Sequence, residues 1–226
     1  QDIIDKIIKL SNPEAGIRQS FTLVPSDPNY DYVTTANKQE ITYPGGEAGI
    51  EKAKELLAQA GVTGTIDVRF LFADNNTRRQ QEFTLIQESA AKAGFNVQTI
   101  NAGDKWGTLL STAQNSYDAS LFGWQTSSSA VTEPAGNFVT NGGNNYGGFS
   151  NAELDALYAE LMTTLDKDRQ REIVAGVETI LVAEGFGTTI FQFPEITAWD
   201  SRLKNVTYIT FMPTVINNFY EWKWEA

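Results

Sequence analysis

The feature that most constrains the fold is an ordered alternation of two hydrophobic periods between residues 47 and 124. Residues 47–60 place Ile50, Ala53, Leu56, Leu57 and Ala60 at helical spacing, and Gly61 supplies a stop. Residues 65–72 then switch to a β-branched and aromatic run with partial alternation, which predicts a strand. A second helical segment, capped by Asp74 or Asn75 and ended by Gly94, carries Phe83, Ile86, Ala90 and Ala93 on its inner face. Residues 95–100 read as a second strand, 106–114 as a short helix and 117–124 as a third strand. Strand, helix, strand, helix, strand is the signature of parallel crossover units. The predicted class is α/β, with a mainly parallel central sheet flanked by helices on both faces.

The flanks are less regular. Ile3, Ile4, Ile7 and Ile8 lie at helical spacing in residues 2–9, and Pro13 and Gly16 close that segment. Residues 17–45 hold Pro25, Asp27, Pro28, Asn29, Tyr30, Asp31 and Tyr32, and predict a long ordered surface loop. Residues 125–150 are dense in Ser, Thr, Asn and Gly without a period. A loop of that length at a strand end is a ligand-facing candidate. Ser150 or Asn151 caps a helix bearing Leu154, Leu157, Tyr158, Leu161 and Met162. Asp168 begins another, through Ile173, Val177, Ile180 and Leu181 to Gly185. Residues 188–193 predict a strand broken by Pro194, with weaker strands at 196–200 and 206–211. Residues 219–224 alternate aromatic with charged side chains, as on an edge strand or a strand packed on another domain.

Composition matters chiefly for what it excludes. The chain has neither His nor Cys, which removes imidazole acid–base chemistry, thiol nucleophiles, Ser–His–Asp triads and Cys/His zinc sites together. No cofactor is expected. The net charge is −11, and the 17 basic residues are scattered, with only short pairs such as Arg78 and Arg79. Nucleic acid and an anionic membrane surface both need a clustered cationic face, so neither is a partner. No run approaches the ~18 apolar residues of a membrane helix. The 226 residues suffice for a large core. The chain opens on an amphipathic segment with neither a secretory signal nor a lipoprotein cysteine, and reads as a cut piece or a processed product.

Several pieces, in order, resemble the family 5 extracellular solute-binding proteins of ABC importers, which include oligopeptide, dipeptide and nickel binders. EKAKELLAQAG at 51–61 resembles the helix ending in Ala-Gly before the first strand. Ile86 to Ala93 followed by Gly94 and Val97 resembles the next helix and strand. Trp106, Tyr117, Asp118, Gly123 and Trp124 resemble a Trp, Tyr-Asp, Gly-Trp progression, and residues 145–155 and 189–199 resemble later motifs. Each piece is common; the ordered set carries the resemblance, across nearly the whole chain. It implies one lobe, the carboxyl-terminal one, of a type II periplasmic-binding fold. On that reading residues 1–45 are the leading helix and surface loop, and 46–195 the α/β lobe. Residues 196–226 then pack on an amino-terminal lobe missing from this chain. The implied partners are a small-molecule or peptide ligand and the membrane permease of an ABC importer, and the implied location is extracytoplasmic.

The resemblance also assigns roles. Trp124 matches a tryptophan at the ligand cleft of peptide binders. Ser127 stands where many of them have an aspartate that pairs with the peptide ammonium, and a hydroxyl does not neutralise that charge. Glu133 offers a substitute carboxylate, or is a solvated loop acid. Asn137, Asn144, Asn145 and Tyr146 offer neutral donors and acceptors suited to peptide backbone or sugar hydroxyls. Turn chemistry is the alternative for each Asn. Asp118 is a structural acid, and no Met cluster offers metal ligands. Oligopeptide is the leading ligand, and oligosaccharide the alternative within the family. Outside it stand a carboxylate-based hydrolase, a solute-binding regulator fused to a DNA-binding domain and a protein-interaction module.

Overall fold

A computed structural model describes residues 1–37, 45–126, 128, 130–193, 196–209 and 215–225. The chain begins with α1 (Asp2–Lys6), followed by a 3-10 turn at Ile8–Leu10. Ile4 and Ile8 are buried, as their helical spacing predicts. Next come α2 (Tyr30–Asn37), α3 (Gly46–Gln59), β1 (Ile66–Leu71), α4 (Thr77–Lys92) and β2 (Phe95–Thr99). After these come α5 (Trp106–Thr112) and β3 (Ala119–Ser120). The three strands form one parallel sheet in the order β2-β1-β3.

The pleat of β1 divides its side chains between two layers. Val68, Phe70 and the following Phe72 pack with Phe83, Ile86 and Ala90 of α4, and with Val97 of β2. Leu71 points the other way, into Ala102, Leu109 and Leu110 beside α5. Helices therefore cover both faces, as the alternating pattern predicts. Because β1 is central, the chain leaves it toward β2 on one side and reaches β3 on the other. In open α/β sheets ligands bind at such a reversal, outside the carboxyl ends of the strands, here those of β1 and β3.

A second core is mainly helical. It is built on α2, a short α6 (Ala135–Phe138), α7 (Ala152–Leu161) and α8 (Lys167–Ala183). Val33, Phe138, Leu154, Leu161, Ile173, Val177 and Leu181 meet there and are almost fully buried. Asn151 caps α7 by accepting from the Glu153 and Leu154 amides, each at 3.0 Å. The cap of α4 differs from expectation, and α8 begins one residue earlier than Asp168. Asn76 caps α4, accepting from the Arg79 amide at 3.1 Å, and Asp166 caps α8, accepting from the Arg169 amide at 2.8 Å. A cap needs extended backbone with its oxygen over the first turn. Asp74 instead accepts from the Gly103 amide at 2.6 Å, tying the loop after β1 to the loop after β2.

Other expectations need correction. Residues 17–45 are not all loop, since α2 lies within them and buries Val33 in the helical core; 38–44 lie outside the described residues. The third strand is shorter than 117–124. Its ladder closes where the Leu121 amide donates to the Leu71 carbonyl at 3.0 Å, because β1 itself ends there. Residues 188–193 form no strand beyond one antiparallel bridge between Phe191 and Ile17. Residues 196–200 and 206–209 are not strands; Pro194, 210 and 211 lie outside the described residues. The aromatic tail forms a 3-10 segment, Ile216–Glu221, then β5 (Lys223–Trp224), paired antiparallel with β4 (Leu203–Lys204). Its alternation reports exposed aromatics, with Phe219, Tyr220 and Trp224 all more than half exposed.

Candidate functional site

Side chains from α5, from the segment after β3 and from the 125–150 loop converge at the sheet reversal. Leu121 still points into the core beneath the sheet, and the next residues alternate away from it. Phe122 and Trp124 therefore emerge on the open side, at 36 % and 41 % exposure. Their rings meet edge to face with centroids 4.5 Å apart. Trp124 stacks on Tyr146 at 5.6 Å with an interplanar angle of 27°. Phe122 also touches Trp106 at 5.7 Å and Tyr146 at 6.1 Å. The result is a continuous aromatic platform.

The platform is held from below. The Tyr117 hydroxyl lies 3.0 Å from the Leu110 carbonyl and 3.2 Å from that of Tyr146. It thus pins the far end of the 125–150 loop to the end of the sheet. Asn145 is buried, and its amide nitrogen donates to the carbonyls of Val139 at 2.9 Å and Phe149 at 2.7 Å. Its oxygen accepts from the Phe149 amide at 3.0 Å. Both N–H donors are thus committed to the loop's own backbone. Gly142 fits because it lacks a side chain, since a Cβ would meet the Gly136 carbonyl oxygen at 2.4 Å.

The other sequence-derived residues fall as follows. Glu133 is exposed and accepts from Thr126 Oγ1 at 2.9 Å, which places its carboxylate beside the strand-end loop carrying Trp124. Asn137 is half-buried on α6, its amide donating to the Pro134 carbonyl at 3.0 Å. Asn144 is exposed, its amide donating to the Gly136 carbonyl at 3.0 Å. Ser127 lies outside the described residues. The structure thus unites Trp124 with Tyr146, brings Glu133 near through Thr126, and uses Asn145 as a brace.

Sequence reasoning missed Phe122 and Arg79 as site residues, and took Trp106 only as part of a motif. The signal for Phe122 was its alternation with Leu121 and Gly123. Nothing in the sequence separates Arg79 from Arg78, yet their surroundings differ. Arg78 pairs with the buried Glu82 and lies over the Phe193 ring at 4.8 Å. Arg79 lies over Trp106 at 4.8 Å and, among the described residues, makes no ion pair. Burial pushes the Glu82 carboxyl up, against the pull of Arg78.

Asp118 has a structural task. Its oxygens accept from the Arg69 guanidinium at 2.7 and 3.0 Å and from the Arg69 amide at 2.7 Å, which fixes the start of β3 to β1. The guanidinium holds its carboxyl down at about 2. Among the described residues no cluster of His, Cys, Asp and Glu is placed to hold a metal ion, and no helix is long and apolar enough to cross a membrane. What the site offers is stacking surface, a cation and scattered amides.

Known proteins share this architecture. The solved periplasmic EDTA-binding protein EppA superposes with a TM-score of 0.82 at 16 % identity, covering 100 % of this chain and 43 % of its own. The mannohexaose-bound periplasmic oligopeptide-binding protein of Thermotoga maritima gives 0.71 at 18 % identity, covering 91 % of this chain and 41 % of its own. In sequence, the oligopeptide-binding protein OppA of Mycobacterium tuberculosis is 24 % identical over 149 residues, 61 % of this chain. That match spans only 23 % of the relative's length. The family model for bacterial extracellular solute-binding proteins, family 5 (middle), matches residues 4–146, more than half of the chain. The chain belongs to the family 5 bacterial extracellular solute-binding proteins.

Proposed function

We propose that this chain is the carboxyl-terminal lobe of an extracytoplasmic protein that captures a solute, with oligopeptide as the leading class, and delivers it to the permease of an ABC importer. The observation that carries this reading is the exposed Trp124–Tyr146–Phe122 platform at the sheet reversal. An indole stacked on a phenol gives a broad apolar face with polar edges, which suits a peptide plane or side chain. Family membership and the OppA match support the same reading.

In this proposal the ligand is held between two lobes and favours the closed arrangement, with the second lobe supplied outside these residues. The exposed Ile196, Trp199, Tyr208, Phe219, Tyr220 and Trp224 support packing of residues 196–226 against that lobe. A sugar is the second reading. A flat, open aromatic stack accepts a pyranose face as readily as a peptide plane, and the Thermotoga relative holds mannohexaose.

Thermal-shift screening of the full-length protein against peptide and oligosaccharide libraries tests the proposal. A bound solute raises the melting point with dose. A dose-dependent shift from one class, lost in Trp124→Ala, is expected. Silence across both libraries would overturn the capture of either class.

A further inference from the structure

Arg79 sits in the first turn of α4, at the carboxyl end of β1, on the edge of the aromatic platform. Its guanidinium lies over the Trp106 ring at 4.8 Å. Trp106 touches Phe122 at 5.7 Å, and Phe122 touches Trp124 at 4.5 Å. The cation is therefore continuous with the stacking surface. Its side chain has one hydrogen bond among the described residues, a long 3.4 Å contact from Nη1 to the Leu121 carbonyl. A guanidinium has five N–H donors, so most of the Arg79 fork is open.

The acids near it are otherwise engaged. Glu82 is buried against Arg78, Asp74 accepts from the Gly103 amide, and Asp104 accepts from Asn75. Half-burial and the neighbouring Arg78 charge push the Arg79 guanidinium below its usual range. A chain with a net charge of −11 thus keeps at its candidate cleft a half-buried cation that makes no direct ion pair among the described residues, with Glu82, already paired to Arg78, offsetting its charge only in part. A charge drawn out of water without a partner is costly, and an arriving anion removes that cost. The planar fork matches a carboxylate or phosphate in two-point geometry.

We propose that Arg79 anchors an acidic group of the captured solute, whose neighbouring apolar or ring portion lies on Phe122 and Trp124. This rests on the solute-capture reading and narrows its ligand class to anion-bearing solutes. Arg79 sets ligand selectivity, and Trp124 supplies contact surface common to acidic and neutral solutes.

The test uses matched probes on the full-length protein by isothermal titration. One pair is tetrapeptides with a free carboxylate and their carboxyl-terminal amides. The other is oligogalacturonate and neutral mannohexaose. A phosphopeptide amide with its unphosphorylated form separates phosphate from carboxylate. The acidic member of at least one pair binds about ten- to a hundredfold more tightly than its neutral twin. Arg79→Gln abolishes that preference, Arg79→Lys keeps part of it, and Trp124→Ala weakens both twins alike. Unfolding curves identify a variant that has merely lost its fold. Binding without an acidic preference, or a preference that survives Arg79→Gln, overturns the role of Arg79 while leaving solute capture standing. No binding by any probe overturns both.

Discussion

Glu178 gives the sharpest prediction about what holds the lobe together. It lies on α8 with no exposed surface, yet it is a carboxylate. One of its oxygens accepts from Ser20 Oγ at 2.6 Å and from the Thr22 amide and Thr22 Oγ1, each at 2.7 Å. The other accepts from the Phe21 amide at 3.0 Å. This clamp fixes residues 20–22 beside Arg18, whose amide donates to the Ile190 carbonyl at 3.3 Å. One side chain thus ties the segment entering the α/β unit to α8, and the backbone of Arg18 ties the same segment to residues 189–190. Replacing Glu178 by Ala leaves the Phe21 amide without a partner, at about 1–3 kcal/mol, reduces the Thr22 amide to its 3.2 Å bond to Ser20 Oγ, removes the acceptor of two hydroxyls and opens a void. Some of that loss is offset by no longer burying a charge. The net expectation is a loss of about 3–5 kcal/mol, or about 10 °C in melting temperature for a chain of this size. Glu178→Gln keeps the shape and most acceptors, and should lose about half as much. Urea unfolding with an unchanged slope is the assay. A change under about 1 kcal/mol in both variants would refute the idea that this buried network supports the fold.

Other expectations follow from the same geometry. Phe138→Ala in the helical core should cost about 3–5 kcal/mol, read from the unfolding midpoint, because the ring is almost fully buried. Asn145→Ala should lower the melting point and loosen residues 139–149 in hydrogen exchange; an unchanged exchange pattern would contradict its bracing role. Gly142→Ala should destabilise through the backbone clash at Gly136, and a neutral result would show that the loop yields. Asp118 is held at about 2, below its ordinary value of 3.8. A depressed carboxyl contributes stability above the unfolded value and loses it as pH falls toward the folded one. The stability difference between the wild type and Asp118→Asn should therefore be constant at neutral pH. It should shrink as pH falls from about 4 to 2, measured by unfolding at each pH.

The sequence conveyed the sheet and its helices well, for a local reason. Glu47 to Ile100 contains runs whose period changes sharply at Gly61 and Gly94, and both glycines adopt the left-handed backbone that stops a helix. Trp124 and Tyr146 were legible as candidates because they flank a long loop at a strand end, and the structure stacks their rings. What stayed hidden depends on contacts distant in sequence. The helix at Tyr30–Asn37 follows a run of Pro, Asp and Asn that reads as loop, and its identity comes from Val33 packing on α8. The tail at 219–224 alternates like a strand, yet extended pairing needs a partner, and only Leu203–Lys204 provides one among the described residues. Asn145 and Asn144 look alike in sequence; burial makes one a brace and leaves the other on the surface. Arg78 and Arg79 are adjacent and chemically identical, and only the positions of Glu82 and Trp106 tell them apart.

The central claim is that the Trp124 platform receives a solute. The most direct measurement is titration calorimetry with the compound giving the largest thermal shift, on the full-length wild type and on Trp124→Ala. A centrally placed aromatic anchor is worth about 2 kcal/mol, so the dissociation constant should rise about thirtyfold in the variant while its fold is kept. An unchanged dissociation constant in a folded Trp124→Ala protein would place the solute elsewhere and contradict the account.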